Sequence, residues 1–397
     1  MKKLNFLLLL FSIIFGVLLY DAIQRWLNFT WTDEIICLVL VGYWLSVGRR
    51  IKEFGIFVAI ALFYLIYSLL FPHNIFKAIL TDFFIQVKPF VAFYTIVSLP
   101  FELTKTQKFH LRIICWICLV FMIPFGILGV GGGDFMRLLC IHSRFATMSI
   151  VLCMTYLYCS NYSRKSMYYG LLFLLVGLLS LRSKMFGFFI VYIFVIFIGD
   201  KIKKRGIFTV KNIFIGLSAI ICAIYVAWDK INFYMFEGIR QGSEDEMMAR
   251  PYLYMKAWEI LKDYPLLGTG FGSYATHASA IYYSPLYIKY GMIYNYEIGN
   301  GLFLTDTFYP SLVQYGFIGI MLYVLFWISK YKRGLKVSKQ IKNPAYFRMI
   351  LLIIVFFVIE STSDSTFVQN RGMVMMMLLA MFLNKNYTRH LLFNHKI

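Results

Sequence analysis

The chain has 397 residues, of which 60% are hydrophobic and 19% aromatic, and its mean hydropathy is +0.71. This composition excludes an ordinary soluble domain and indicates a polytopic membrane protein. The net charge of +20 could suggest a nucleic-acid partner, but most of the 39 lysines and arginines fall in alternate connections between apolar runs. That distribution follows the positive-inside rule of membrane topology. We therefore expect a lipid bilayer as a partner, no nucleic acid, and both termini in the cytoplasm.

Apolar runs close to the length of a membrane span recur along the chain. A helix needs about 20 apolar residues to cross the hydrocarbon, and we find about twelve candidates. They cover residues 5–23, 33–48, 54–71, 76–98, 110–130, 140–160, 167–181, 185–199, 209–228, 309–329, 347–361 and 371–384. The predicted fold is all-α and polytopic, with about 12 transmembrane helices and one large extracytoplasmic helical loop. Spans one to nine occupy residues 1–228, the loop subdomain residues 229–308, and spans ten to twelve with a cytoplasmic tail residues 309–397.

Span four differs from the others because ionisable groups lie within its apolar run. Its sequence TDFFIQVKPFVAFY places Asp82 and Lys88 at membrane depth, with Pro89 beside them. An ionised group at this depth needs a partner or a wet cavity, and the proline should kink the helix. Two interpretations stay open: the charged residues line a polar cleft, or they form a structural ion pair within the membrane.

Cations also gather at the outer ends of spans six, seven and eight, where the positive-inside rule disfavours them. Arg137, His142 and Arg144 lie at the outer end of span six, and the tight turn SLRSK places Arg182 and Lys184 at the outer interface. Anion binding would account for both groups. The alternatives are a topological exception or pairing with the preceding aspartate for the first group, and snorkelling to lipid headgroups for the second.

The polar interval at residues 229–308 is long enough that it should contain helices of its own. Its segment PYLYMKAWEILKDY predicts an amphipathic helix, with Pro251 in the first turn and Pro265 at the end. Arg250 lies at the N-terminal end of this helix. There its guanidinium and the free backbone amides could converge on one anion.

Two further features belong to the same outer side. The segment GTGFG contains Gly268, Gly270 and Gly272, which allow the backbone either to approach a ligand or to turn sharply. Because no strand precedes it, a dinucleotide site is not expected. Asp306 lies at the outer end of span ten, where a lone carboxylate beside arginines can orient the cations or act as a general base.

Three segments, SLRSK, ARPYLYMKAWEILKDYPLLGTGFGSY and TDTFYPSLVQYGFIG, together resemble the O-antigen ligase and polymerase superfamily of bacterial membrane glycosyltransferases. The resemblance runs from Ser180 to Gly319 and extends more loosely to span four. Ligases of this superfamily generally have a His-Asn pair at the start of the span after the loop, where this chain has Thr305 and Asp306. The chain therefore looks more like the Wzy-type repeat-unit polymerases.

This resemblance implies polymerisation of lipid-linked oligosaccharide repeat units of O-antigen, capsule or another surface polysaccharide. The donor and acceptor would be linked to a polyprenyl diphosphate carrier at the outer face of the bacterial cytoplasmic membrane, and a chain-length regulator is a candidate partner. An O-antigen or protein O-glycan ligase is the first alternative, because it would use the same donor with another acceptor. A lipid-linked glycan flippase or transporter is the second.

The leaving group of such a reaction is a diphosphate, so fixed cations can stabilise its developing charge without a metal or other cofactor. We expect Arg182 and Arg250 to serve this catalytic role and Asp306 to accept the proton of the acceptor hydroxyl. The expected substrate- and diphosphate-binding residues are Arg144, Lys184, Lys88, Gly268, Gly270 and Gly272.

Overall fold

The computed structural model describes residues 2–49, 51–130, 135–160, 163–198, 232, 247–299 and 301–384. All regular secondary structure in these residues is helical, and no strand occurs among them. The predicted all-α fold is confirmed. The ninth predicted span, residues 209–228, lies outside the described residues.

Short connections join most of the described helices. Up to residue 198 they are, in order, α1 (Lys2–Ile13), which continues as a π-helix (Ile14–Leu18), α2 (Tyr20–Leu27), α3 (Thr32–Val47), α4 (Lys52–Leu70), α5 (Phe76–Ser98), α6 (Lys105–Val130), α7 (Phe135–Leu139), α8 (His142–Cys159), α9 (Arg164–Leu178) and α10 (Ser183–Ile193), which continues as a π-helix (Phe194–Ile198). From residue 249 onward they are α11 (Ala249–Asp263), α12 (His277–Ile281), α13 (Pro285–Lys289), two 3-10 helices (Met292–Tyr294 and Tyr309–Tyr315), α14 (Gly316–Gln340), α15 (Pro344–Glu360), a 3-10 turn (Thr366–Val368) and α16 (Asn370–Leu383).

The centre of the structure is formed by α5, α8 and α16. Helices α8 and α16 bury nearly all of their residues, as expected for helices that are apolar on every side. Helix α16 packs against both α5 and α8, and α5 also packs against α3 and α4. Residues that α5 directs away from this core therefore line spaces between the central and the peripheral helices.

Length and composition allow four described helical segments to cross a membrane, namely α4, α5, α6 and Tyr309–Gln340, which includes α14. The pair Lys2–Leu18 and Tyr20–Leu27, bent by 68°, adds a fifth if it forms one span. The predicted count of about twelve spans is not confirmed and stays a prediction. The predicted topology and domain boundaries also stay predictions.

Large apolar side chains are exposed on the outer faces of the peripheral helices. Leu38 of α3, Phe63 of α4, Val120 of α6 and Leu325 of α14 are examples. Soluble monomers rarely expose contiguous apolar surface on this scale. These faces therefore fit contact with lipid chains, in agreement with a membrane protein.

The described part of the loop between α10 and α14 folds around an apolar cluster of its own. The predicted amphipathic helix is confirmed as α11, which buries Leu253, Ile260 and Leu261 in this cluster. Helix α11 packs against Tyr309–Tyr315, and α12 packs against α5. These contacts hold the loop against the ends of the central helices and so determine where Arg250 and Asp306 lie.

Candidate functional site

A polar cavity of about 600 Å³ opens where the loop meets the helix ends. Its lining includes Lys88 of α5, Arg144 of α8, His277 at the start of α12, and Asn370 at the start of α16. Four separate helices thus contribute polar groups to one space. The cavity volume falls within the range of small-molecule sites in proteins.

Lys88 contributes a fixed cation to this cavity. Its ammonium donates to Asp33 and, over 2.9 Å, to Glu34, and both carboxylates lie in the first turn of α3, where the helix dipole also favours negative charge. Both carboxylates line the cavity as well. The two interpretations left open for Lys88 therefore hold together, because the ion pair is itself part of the polar wall. Asp82 is not its partner.

Arg144 is the second cation of the cavity wall. Its guanidinium contacts Asp21 over 2.8 Å and lies 4.3 Å from the ring centroid of Tyr20. The other oxygen of Asp21 accepts the backbone N–H of Ile141 over 2.7 Å. Asp21 thus joins α2 to the start of α8. Asp134, the alternative partner, lies outside the described residues.

A network of ion pairs adjoins the cavity. Arg250 donates to Asp306 over 2.9 Å, with both side chains half-buried. Lys184 contacts Glu360 over 2.8 Å and Asp364 over 3.7 Å. This network lies next to the cavity, because the lining of the cavity includes Thr305 and Ser365. These two residues are the sequence neighbours of Asp306 and Asp364.

The two aspartates of this network have pKa values displaced in opposite directions. Burial raises the pKa of Asp306 above its ordinary value, although Arg250 opposes this effect. Burial also acts to raise the pKa of Asp364, but Arg371, which donates to it over 2.6 Å, and Lys184 outweigh burial and lower it. Carboxyl groups with separated pKa values are a common arrangement for acid and base roles. Asp306 is the better proton acceptor of the two.

The N-terminal end of α11 already holds an anion from the chain itself. The backbone N–H of Ala249 donates to the carboxylate of Glu297 over 2.6 Å. We expected the helix amides and Arg250 to bind one external anion together, but the carboxylate of Glu297 already accepts from one of these amides. The Arg250 side chain turns instead towards Asp306.

Arg182 stands apart from both groups. It is the N-cap residue of α10 and follows Leu181, which has a φ of +53°. Its neighbour Lys184 joins the ion-pair network, but in the described part of the chain the Arg182 guanidinium makes no ion pair or side-chain hydrogen bond. It is also absent from the lining of the cavity. Its predicted catalytic role stays a prediction.

The segment GTGFG is packed against the helices rather than along the cavity. A Cβ on Gly268, Gly270 or Gly272 would lie within 2.3, 2.6 or 2.8 Å of a neighbouring atom. The N–H of Gly272 donates to Asp82 over 2.8 Å, and that of Gly270 to the carbonyl of Gln314 over 2.8 Å. The glycines thus allow close backbone packing, and their role as diphosphate ligands stays a prediction.

The structure brings most of the predicted cations to one region but pairs them with carboxylates that sequence reasoning missed. Those acids are Asp21, Asp33, Glu34, Glu360 and Asp364. Their positions in the sequence could have identified them as partners, because each lies at the edge of an apolar run, close to where a helix begins or ends. The arginine that holds Asp364, at the start of α16, was missed for the same reason.

Residues 134–324 match the family model described as O-antigen ligase. The matched region begins ahead of α7 and ends within α14, so it includes the ion pair of Arg250 and Asp306 and the GTGFG segment. The resemblance to the O-antigen ligase and polymerase superfamily is confirmed. The match indicates a glycosyltransferase-like membrane enzyme without separating polymerases from ligases. No curated protein matched the chain.

The packing of GTGFG gives a prediction with a matched control. Gly272 and Gly301 have φ angles of +72° and +74°, but a Cβ on Gly272 would lie 2.8 Å from the backbone of Ala78, whereas one on Gly301 has no neighbour within 4 Å. Both alanine variants should share the cost of a left-handed conformation. We expect Gly272→Ala to lose roughly 1–3 kcal/mol more stability because of overpacking, measured as a lower thermal midpoint in detergent. Equal midpoints would contradict this packing.

Proposed function

With residues 134–324 matching the O-antigen ligase family, we propose that the chain polymerises lipid-linked oligosaccharide repeat units at the outer face of the cytoplasmic membrane. The growing glycan would pass from a polyprenyl diphosphate donor to a hydroxyl of the incoming repeat unit. One observation carries the proposal. A polar cavity with two fixed cations adjoins a carboxylate of raised pKa that is held by an arginine.

In the proposed reaction the acceptor hydroxyl attacks the anomeric carbon of the donor sugar. The bond between that carbon and the diphosphate oxygen breaks, and polyprenyl diphosphate leaves with the electron pair. Negative charge therefore grows on the diphosphate as the bond lengthens. Cations that are already held in place stabilise such charge without reorganising, and Lys88 and Arg144 are held by Asp33 and Asp21.

Asp306 is our candidate for the proton acceptor. Its raised pKa brings it closer to the working pH than an ordinary carboxylate, which makes it a more effective general base. Arg250 orients the Asp306 carboxylate through their 2.9 Å contact. We assign Arg250 a second role at the donor diphosphate, because its guanidinium can present several N–H groups at once.

A ligase is the alternative within the same chemistry, and the description of the matching family favours it. Such an enzyme would use the same donor but transfer the whole glycan to another acceptor. Against it, Thr305 and Asp306 stand where ligases of the superfamily carry a histidine and an asparagine. The donor site would be the same in both cases, so only the product separates the two functions.

The first experiment compares surface glycans and carrier-linked glycans on gels from the native host. We expect Arg250→Ala to abolish the polymer ladder as completely as a deletion does, because it removes both the partner of Asp306 and a donor contact. Lys332→Ala is the control at matched expression, since Lys332 is exposed on α14 and should be silent.

Each product pattern identifies one function. Single repeat units on the usual surface anchor, with no ladder, support a polymerase. Long glycan that accumulates on the lipid carrier and is missing from its anchor identifies a ligase, and unpolymerised units trapped inside the cell identify a flippase. A normal ladder in the Arg250→Ala strain would contradict the proposed site.

A second prediction concerns pH and Asp306. If Asp306 must be ionised to accept the proton, activity should fall as the pH drops through its raised pKa, which lies above the ordinary aspartate value. Because Arg250 lowers this pKa, Arg250→Gln should move the acid limb of the pH–rate profile to higher pH, besides reducing the rate. Polymerisation by purified protein in detergent measures both quantities. A reduced rate with an unmoved acid limb would show that Asp306 only orients Arg250.

A further inference from the structure

A second, largely apolar groove of about 390 Å³ lies between α4, α5 and α14. Its walls are made mainly of aliphatic and aromatic side chains, among them Ile60 of α4, Phe90 of α5 and Leu322 of α14. The helices that border it, α4 and α14, expose apolar side chains such as Phe63 and Leu325 beside it. An apolar chain could therefore enter this groove sideways from a lipid bilayer.

The groove adjoins the polar cavity at its outer end. Gln86 and Phe308 line both spaces. From Tyr315, which immediately precedes α14, to Lys330 within it, the lining extends for roughly 22 Å at the rise of an α-helix. This length is a large part of a hydrocarbon layer about 30 Å thick. A ligand with a polar head in the cavity and a long apolar tail in the groove would match both.

An ion pair between a buried lysine and a half-exposed glutamate forms the inner end of the groove. The Lys330 side chain is 2% exposed, and its ammonium contacts Glu53 over 2.8 Å and lies 5.0–5.3 Å from the ring centroids of Phe93, Tyr94 and Phe326. These rings and the carboxylate hold the charge in place. An apolar chain that extends along the groove meets a charged boundary here, which it cannot displace without desolvating the ion pair.

We propose that the groove binds the polyisoprenoid chain of the substrate, with its diphosphate in the polar cavity, and that Lys330 and Glu53 limit the length of chain that fits. This inference rests on the proposed function for the nature of the head group. The groove orients the diphosphate by anchoring the chain to which it is attached. Lys330 is thus a determinant of specificity rather than a topology charge alone.

The test measures binding of sugar-free prenyl diphosphates to the purified full chain in detergent, with two and with eleven isoprene units. Ala61 lines the groove and is 8% exposed, whereas Ala59 is exposed on the same helix outside it. We expect Ala61→Trp to weaken binding of the long chain roughly tenfold or more, because each blocked methylene forfeits burial. The short chain should bind within about twofold of wild type, and Ala59→Trp should change neither.

Lys330→Met tests the inner end in the same assay, with Lys332→Met as its control. Glu53 is half exposed, with 51% of its side chain accessible, so it can turn to solvent when its partner is removed. We expect Lys330→Met to strengthen binding of the eleven-unit chain relative to the wild type and to leave binding of the two-unit chain unchanged. A diazirine at the end of a chain whose extended length matches the groove should label residues near Lys330.

Failure of this inference and failure of the proposed function give different results. If Ala61→Trp binds the long chain as tightly as Ala59→Trp, or if the diazirine labels only exposed faces, the groove is not the chain site, although the proposed function survives. Equal competition by phosphatidylglycerol would also overturn the assignment, because it would identify an ordinary lipid site. If wild-type protein binds neither prenyl diphosphate, the proposed function itself fails.

Discussion

A charge that lies beside hydrocarbon must be paired, and this constraint organises the end of the molecule that carries the candidate site. Lys88 is held by acids of α3, Arg144 by an acid of α2, and Lys184 by an acid at the end of α15. Each pair joins helices that are distant in sequence, so the pairs fix both the positions of the cations and the arrangement of the helix ends. Structure and candidate chemistry thus depend on the same contacts.

The loop that contains α11 is positioned by a second set of buried polar contacts. Asp82 accepts the N–H of Gly272, and the side-chain oxygen of Gln314 accepts the N–H of Ser273 over 2.8 Å. These bonds hold the turn after α11 between α5 and the 3-10 helix Tyr309–Tyr315. This 3-10 helix follows Asp306 closely in the sequence and continues into α14. A buried polar residue in a helix can therefore support the candidate site without touching substrate, because it determines where the loop is held.

The sequence predicts the elements of this structure better than their contacts. Apolar runs and prolines predict an all-α fold and locate α11, because helix formation and helix ends depend mainly on residues that are close together in the sequence. The carboxylates that pair with Lys88, Arg144, Lys184 and Arg250 lie 54 to 180 residues from them in the sequence, and local patterns do not show which helix ends meet. Sequence reasoning thus placed Arg144, Lys184, Arg250 and Asp306 on the outer side and Lys88 within span four, but missed most of their carboxylates.

Pairing also has a consequence for the order of events at the proposed site. Arg250 lowers the pKa of Asp306 while the two are in contact. A donor diphosphate that draws the Arg250 guanidinium towards itself would weaken this contact, so the Asp306 carboxylate would become more basic only when donor is bound. An acceptor hydroxyl would then meet a stronger base at the moment when an activated sugar is present. The ion pair with Asp306 holds the Arg250 side chain in place in the absence of substrate. The same pair would couple donor binding to activation of the acceptor.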